Sequence, residues 1–341
     1  MVQIHTLAID PPLLNASCMW ASELSQLREL YNSPFTGAVT TRTAILDGYK
    51  ENESNQFVFS ADKLTTLNSF GYSPHPLSQY IEWVFTVLTS SEAAPTRAAP
   101  KPIIMSVTAS NPIDLAQVIT DVQSLRERLR TASFPSPIVD PATLVAIELN
   151  TSCPNIPSAP PPSYHLPSLR PLLAVLASAA HADPSFTIGL KLPPYPDVTR
   201  AKDVLDCLAE YTSSGSRSPF AFLTCTNTLG GSVLFSDQVD GGVGAHGTPA
   251  FALPPALGGL GGVQLHPLAL GTVLSFSRAL AAHADPALRA IKIIGVGGVT
   301  DRAAAKRMRA AGASAVACAT LLGKEGVRAF EILSEPAEEK A

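Results

Sequence analysis

The sequence predicts an α/β protein built as a (β/α)8 barrel, or TIM barrel, with residues 1–341 forming a single domain. Eight short apolar segments alternate along the chain with eight longer segments of helical character, which is typical of repeated βα units. Polar or glycine-rich residues follow the strand-like segments at their carboxyl ends, where such barrels place their active sites. A length of 341 residues also fits two domains of about 150 residues, but no internal repeat or linker divides the chain.

The eight candidate strands are short runs of branched or other apolar residues. Most of them lack a strict alternation of polar and apolar residues, as is typical of parallel strands that are covered on both faces. In chain order they are residues 12–16, 37–41, 102–107, 144–149, 186–190, 220–225, 291–295 and 315–319.

The eight candidate helices lie between these strands, and three of them have a recognisable start. We expect Ser22 to cap the first helix, Asn111 and Pro112 to open the third, and Asp301 to cap the seventh. In chain order the helices are residues 23–31, 76–89, 113–130, 169–181, 199–212, 267–283, 302–311 and 326–333.

Two segments are too long to be simple connections between a strand and a helix. Residues 44–74 follow the second strand, and residues 229–262 follow the sixth. Both are therefore predicted to be insertions on the face of the barrel that carries functional loops.

Composition and charge exclude several classes of protein. Hydrophobic residues make up 46% of the chain and charged residues 15%, which excludes a disordered chain. A net charge of -4 argues against nucleic-acid binding, which needs a basic surface. The chain shows no signal peptide, no spanning apolar run, no CxxC pair and no histidines at ligand spacing, so we expect a cytoplasmic protein without a metal site or membrane contact.

Glycines after the seventh strand lie at the position where barrels of this type often bind phosphate. The sequence Gly-Val-Gly-Gly at 295–298 precedes a helix, and Ala319 and Thr320 follow the eighth strand. Glycine lets backbone N–H groups approach an anion closely. A tight turn between strand and helix explains the glycines equally well, so both interpretations remain open.

Lys191 and Cys153 are the side chains most suited to chemistry at the strand ends. A lysine at the inner end of a core strand is costly to bury without a partner, so Lys191 either forms an ion pair in the barrel mouth or stabilises a developing anion. Cys153 lies in a polar loop between Asn150 and Asn155, where an accessible thiol could act as base or nucleophile.

These two segments also carry a resemblance to a known family. Residues 148–155 read Glu-Leu-Asn-Thr-Ser-Cys-Pro-Asn and residues 191–195 read Lys-Leu-Pro-Pro-Tyr, which resemble dihydroorotate dehydrogenases of the soluble, fumarate-reducing class 1A. Similar motifs follow in the family's order along nearly the whole chain. They are Asn-Ala-Ser at 15–17, Asn-Ser-Phe-Gly-Tyr at 68–72, Asn-Thr at 227–228, Gly-Gly-Leu-Gly-Gly at 258–262, Ile-Gly-Val-Gly-Gly at 294–298 and Lys-Glu-Gly at 324–326.

The resemblance implies a homodimeric FMN enzyme of pyrimidine biosynthesis that oxidises dihydroorotate and passes the electrons to fumarate. Cys153 would be the catalytic base, with Lys191 and Arg42 as charged groups beside the flavin. The implied substrate-binding residues are Asn68, Phe70, Gly71, Tyr72, Asn150, Asn155, Asn227 and Thr228. The implied FMN-binding residues are Ala16, Ser17, Arg42, Thr43, Ser106, Asn150, Lys191, Gly262, Gly297, Gly298, Ala319 and Thr320.

The chain departs from the family pattern at several positions near the expected site. Arg42 replaces a lysine and Cys18 replaces a glycine, and residues 235–255 have lost a basic pattern. Arginine is a planar fork and not a compact ammonium, so the first change alters the site's chemistry. Two further hypotheses follow: an FMN oxidoreductase for another dihydropyrimidine or an enoate, or a weakly active flavin-binding paralogue.

Overall fold

The computed structural model describes residues 1–90, 100–134, 138–156, 161–213, 216–241 and 250–334. The strands in these ranges are β1 Val2–Ile4, β2 Leu7–Ile9, β3 Leu13–Asn15, β4 Val39–Thr40, β5 Phe57–Phe59, β6 Thr65–Asn68, β7 Ile103–Val107, β8 Val145–Asn150, β9 Ile188–Leu192, β10 Phe222–Cys225, β11 Leu229–Ser232, β12 Gly258–Gly262, β13 Lys292–Val296 and β14 Ala315–Cys318. The α-helices are α1 Leu24–Asn32, α2 Leu77–Thr89, α3 Pro112–Thr131, α4 Leu166–Ala182, α5 Arg200–Ala209, α6 His266–Ala282, α7 Pro286–Arg289, α8 Arg302–Ala310, α9 Thr320–Glu325 and α10 Arg328–Leu333.

Eight parallel strands form the barrel, in the order β3-β14-β13-β10-β9-β8-β7-β4. A parallel bridge between Leu14 and Ala38 joins the two ends of this sheet and closes it. The predicted fold class is thus confirmed, and each of the eight predicted strands overlaps one barrel strand.

Apolar side chains fill the barrel interior, and a second apolar layer separates the strands from the helices. The Phe222 ring is fully buried inside the barrel. A Cβ atom on Gly189 of the neighbouring strand would lie 2.2 Å from that ring, so only glycine fits there. The interior is therefore a packed core, as is usual for barrels of this size.

The helices confirm the predicted pattern except at one cap and two short elements. Asn111 caps α3 by accepting a hydrogen bond from the Asp114 N–H at 2.9 Å, and Asp301 caps α8 in the same way. The expected cap at Ser22 is wrong, because α1 begins one residue later, after Glu23. Glu23 holds the cap position instead, and the Gln26 side chain accepts the N–H of both Ser22 and Glu23, as in a capping box. The short helices α7 and α9 were not predicted.

The two long insertions pair with each other. Strands β5 and β6 come from the first insertion and β11 and β12 from the second, and they form an antiparallel sheet in the order β11-β12-β6-β5. The central pair places Asn68 opposite Gly259 and Thr65 opposite Gly262. Insertions after the second and sixth barrel strands are confirmed, and their joint sheet is the feature that sequence patterns did not predict.

A hairpin of β1 and β2 packs at the amino-terminal end of the barrel. Its residues Ile4, Leu7 and Ile9 are fully buried in the cluster that also contains interior barrel residues. In the turn, the His5 ring shares a hydrogen bond of 2.7 Å with the hydroxyl of Thr187, which precedes β9. None of the helices in the described ranges is long and apolar enough to cross a membrane.

Arg126 of α3 ties several loops at this same end of the barrel together. Its guanidinium is fully buried and donates to the carbonyls of Ala142 and Val145 and to the Asp183 carboxylate, the last at 3.1 Å. It also lies over the Phe186 ring, 4.8 Å from the centroid. These groups would lose their partner together if the guanidinium were removed.

Replacing Arg126 with methionine should therefore lower the free energy of unfolding by about 3–5 kcal/mol, because the carbonyls of Ala142 and Val145 and the Asp183 carboxylate lose their donor together. Urea denaturation followed by circular dichroism measures this change. The control is Arg128→Met on the same helix, because Arg128 forms an exposed ion pair with Glu82 worth about 0–1 kcal/mol. Equal losses in the two variants would contradict a structural role for the Arg126 cluster.

Candidate active site

A cavity opens at the carboxyl-terminal end of the barrel, under the sheet formed by the insertions. The cavity brings together residues that sequence reasoning placed at separate strand ends. The predicted site residues that line it are Ala16, Ser17, Arg42, Thr43, Asn68, Phe70, Gly71, Asn150, Cys153, Asn155, Lys191, Asn227, Thr228, Gly262, Gly297, Gly298, Ala319 and Thr320.

Two predicted residues, Ser106 and Tyr72, do not line the cavity. Ser106 is fully buried on β7 and hydrogen-bonds to Thr43, so it lies directly behind a lining residue. The Tyr72 carbonyl accepts a hydrogen bond from Arg42 at 3.1 Å. Both therefore contact the site through another residue.

Sequence reasoning missed an aromatic group along the cavity wall. Trp20 and Phe57 line the cavity with their rings 5.6 Å apart, and Phe57 lies 6.1 Å from Phe70. Phe57 comes from the first insertion, so only the tertiary fold brings it to the site. Trp20 follows the first barrel strand closely, and that position was the one signal that could have identified it. The other lining residues outside the prediction include Cys18, Met19, Thr66, Pro154, Thr226, Gly261, Leu265, Val296, Val299 and Cys318.

Lys191 supplies a buried positive charge to the cavity. It lies on β9 opposite Asn150 of β8, and only 4% of its surface is exposed. Its Nζ donates to the Ser17 carbonyl at 3.2 Å, and no carboxylate of the described residues pairs with it. A buried ammonium without a counter-charge is costly, so the site favours an anionic ligand or a group that becomes anionic.

Arg42 is also buried, but its charge is already matched. The guanidinium forms an ion pair with Glu51 and donates to the Tyr72 carbonyl. It lies over the Phe70 ring, 5.2 Å from the centroid. Arg42 therefore holds residues 68–72 against the loop that carries Glu51.

Four asparagines around the cavity are hydrogen-bonded in two pairs. The Asn155 amide donates to the Asn68 side chain at 3.0 Å and to the Phe70 carbonyl at 2.9 Å. The Asn227 amide donates to Asn150 Oδ1 at 3.2 Å. Amides offer both donors and acceptors, so this group suits a ring that also carries both.

Cys153 lines the same cavity as these amides, and the Asn155 backbone N–H hydrogen-bonds to its thiol. Burial is the largest influence on it and raises its pKa above the ordinary thiol value. The Asn155 backbone N–H and the charges of Lys191 and Arg42 offset part of that increase. The neighbouring Cys18 thiol is buried too, which raises its pKa to about 11.

Three glycines with left-handed backbone form the other end of the cavity. Gly262, Gly297 and Gly298 have φ values of 83°, 130° and 62°, a region that side chains disfavour. A Cβ on Gly298 would lie 2.6 Å from the Gly262 carbonyl oxygen. Arg307 Nε donates to His266 Nε2 at 3.2 Å, so His266 Nδ1 carries the proton and donates to the Gly297 carbonyl at 2.7 Å.

A comparison with protein families decides which family the chain represents. The family described as dihydroorotate dehydrogenase matches residues 1–339. The chain belongs to the dihydroorotate dehydrogenase family. It is therefore an oxidoreductase of this type, as the motifs at 148–155 and 191–195 indicated.

Curated relatives of this dihydroorotate dehydrogenase family member are fumarate-type proteins. A protein of Streptococcus pneumoniae named probable dihydroorotate dehydrogenase A (fumarate) is 28% identical over 331 residues, which cover 96% of this chain and 89% of the relative. A putative dihydroorotate dehydrogenase A (fumarate) of Streptococcus agalactiae is 26% identical over 337 residues, covering 99% and 92%. The match thus extends over nearly the full length of both proteins.

The Arg42–Glu51 pair gives a prediction about residues 68–72. In Glu51→Gln the guanidinium loses its counter-charge, so backbone amides of residues 69–73 should exchange with deuterium at least about fivefold faster, equivalent to about 1 kcal/mol of local stability. Hydrogen–deuterium exchange with mass spectrometry measures this. Glu53→Gln, a change at an exposed neighbour, should leave the exchange unchanged. An unaltered rate in Glu51→Gln would mean that the pair does not hold these residues.

Proposed function

We propose that the chain is an FMN-dependent enzyme that oxidises dihydroorotate to orotate, with fumarate as electron acceptor. The observation that carries the proposal is the cavity in which Cys153, the uncompensated Lys191 and the asparagine group meet. Family membership supplies the second argument. A role in pyrimidine biosynthesis, a cytoplasmic location, a single domain over residues 1–341 and a homodimer stay predictions from the resemblance and the sequence.

The residues present fit FMN at both ends of the cavity. The buried Lys191 ammonium suits a ring system that takes up negative charge, with Ala16, Ser17 and Thr43 beside it. At the other end the backbone of Gly262, Gly297 and Gly298 forms a cradle, in a conformation where a Cβ on any of the three would clash with neighbouring protein atoms, and Ala319 and Thr320 lie alongside. When bound, FMN supplies the hydride acceptor that the oxidation requires.

The asparagine group would orient the substrate, and Cys153 would move its proton. Asn68, Asn150, Asn155 and Asn227 offer amide donors and acceptors to a dihydropyrimidine ring and its carboxylate. The Cys153 thiolate would take the proton from C5 while the C6 hydrogen leaves with its electron pair, which yields the C5–C6 double bond of orotate.

A second candidate is an FMN oxidoreductase that acts on another dihydropyrimidine or an enoate. The observation that favours it is the Arg42–Glu51 ion pair, because a matched charge is less able to bind a substrate carboxylate. A flavin-binding paralogue with weak activity has the same support.

Anaerobic mixing with dihydroorotate tests the main proposal. The flavin absorbance should bleach and should return when fumarate is added. Bleaching by other dihydropyrimidines or by reduced enoates, but not by dihydroorotate, would favour the second candidate. Bound FMN that no such compound reduces would favour the weakly active paralogue.

The rate of flavin reduction should depend on pH in a direction set by Cys153. Because the thiol pKa is raised, the thiolate fraction should grow about tenfold per pH unit up to and beyond the ordinary value of about 8.5. Stopped-flow reduction should therefore accelerate with pH through that range. Cys153→Ser should be slow and lose this dependence, whereas Cys207→Ser, a change at a buried thiol of α5, should retain it. A pH-independent wild-type rate would remove Cys153 as the base.

The glycine cradle predicts a difference between FMN and riboflavin, which lacks the phosphate. His266→Phe removes the hydrogen bond that orients the Gly297 carbonyl, so affinity for FMN should fall about tenfold, the effect of one lost hydrogen bond. Riboflavin affinity should change little, which also shows that the variant is folded. Quenching of Trp20 emission measures both affinities, and His181→Phe, at an exposed site, is the control. Equal losses for both flavins would place the phosphate elsewhere.

A further inference from the structure

A buried carboxylate lies behind the cavity floor without a cationic partner among the described residues. Glu148 of β8 is 2% exposed and forms no ion pair with a described lysine, arginine or histidine. Its two carboxylate oxygens accept hydrogen bonds from Ser106 Oγ at 3.2 Å and from Thr224 Oγ1 at 2.5 Å. Each carboxylate oxygen of Glu148 therefore has one hydroxyl group as its hydrogen-bond donor.

A chain of hydroxyl groups leads from Glu148 to the cavity. Ser106 Oγ lies 3.0 Å from Thr43 Oγ1, which lies 3.0 Å from Ser17 Oγ. Each hydroxyl has one proton to donate. Since Ser106 donates to Glu148, the proton between Ser106 and Thr43 must come from Thr43, and the proton between Thr43 and Ser17 must come from Ser17.

The amide of Asn150 is compatible with the same direction. The Ser152 backbone N–H donates to Asn150 Oδ1 at 3.1 Å, which turns the amide nitrogen of Asn150 toward Thr43 Oγ1 at 2.9 Å. Thr43 has two lone pairs and can accept from both Asn150 and Ser17, which leaves its own proton for Ser106. The Asn150 contact therefore fits the arrangement that Glu148 sets through Ser106.

We propose that Glu148 is a positioning residue that sets the hydrogen-bond polarity of the cavity floor through Ser106 and Thr43. The Ser17 hydroxyl donates to Thr43 Oγ1, so its lone pairs are available to accept from an N–H group of a bound ring. Asn150 is kept with its amide nitrogen toward Thr43 and its oxygen toward Asn227. The ligand class implied is a heterocycle that presents a ring N–H to Ser17. Only the choice of FMN as the probe rests on the proposed function.

Two substitutions that each remove one hydroxyl from Glu148 separate this role from a structural one. In Ser106→Ala the Thr43 proton is released and can turn toward Ser17, so the FMN dissociation constant should rise about tenfold and the visible flavin bands should shift. In Thr224→Val the hydrogen-bond chain from Glu148 through Ser106 to Thr43 is intact. The FMN dissociation constant and the flavin bands should therefore match those of the wild-type protein. Ser106→Thr should restore the wild-type values. Equal effects of Ser106→Ala and Thr224→Val would overturn the proposal.

A measurement without flavin keeps the proposal independent of the function. Ser106 and Ser17 are joined through Thr43, so Ser106→Ala and Ser17→Ala should shift the urea midpoint non-additively when combined. Thr224→Val combined with Ser17→Ala should be additive. Additivity in both pairs would overturn the chain, whereas failure of wild-type protein to bind any flavin would overturn the proposed function alone.

Discussion

The cavity depends on the antiparallel pairing of β6 with β12. This pairing sets Asn68 opposite Gly259 at one end and Thr65 opposite Gly262 at the other, so one strand pair fixes both ends of the site. Asn68 confirms the register by donating to the Gly259 carbonyl at 3.1 Å. A Cβ on Gly262 would lie 2.2 Å from the Leu64 carbonyl oxygen, so the close approach at the far end requires glycine. A slip of one residue would turn the side chains of the shifted strand to the opposite face of the sheet.

The charged residues around this cavity differ in their partners. Arg42 is matched by Glu51 and joins two parts of the first insertion, while Lys191 donates to the Ser17 carbonyl and pairs with no carboxylate in the part of the chain that the structure describes. Glu148 lies behind the floor and acts on hydroxyl groups. Among the described residues around the cavity, Lys191 is therefore the buried cation that can respond to a ligand, whereas Arg42 and Glu148 act on neighbouring protein groups.

Sequence patterns predicted the barrel well because its signals are local. Each barrel strand is an apolar run followed by a polar end, and caps such as Asn111 can be read from neighbouring residues. The joint sheet of the insertions could not be predicted, because β6 and β12 are far apart in the chain and β12 consists of four glycines and one leucine. Phe57 and Thr66 were missed for the same reason. Ser106 was placed beside the ligand because its strand end was known, but the direction of its side chain depends on Glu148 and Thr43.

The hairpin of β1 and β2 has a consequence for the order of events in the cavity. It buries Ile4, Leu7 and Ile9 at the amino-terminal end, and the packed interior around Phe222 blocks passage through the barrel axis. In the part of the chain that the structure describes, small molecules therefore reach Cys153 and Lys191 from the carboxyl-terminal end of the barrel. Two small molecules that bind to the same cavity floor cannot be bound at the same time. The second can therefore bind only after the first has dissociated.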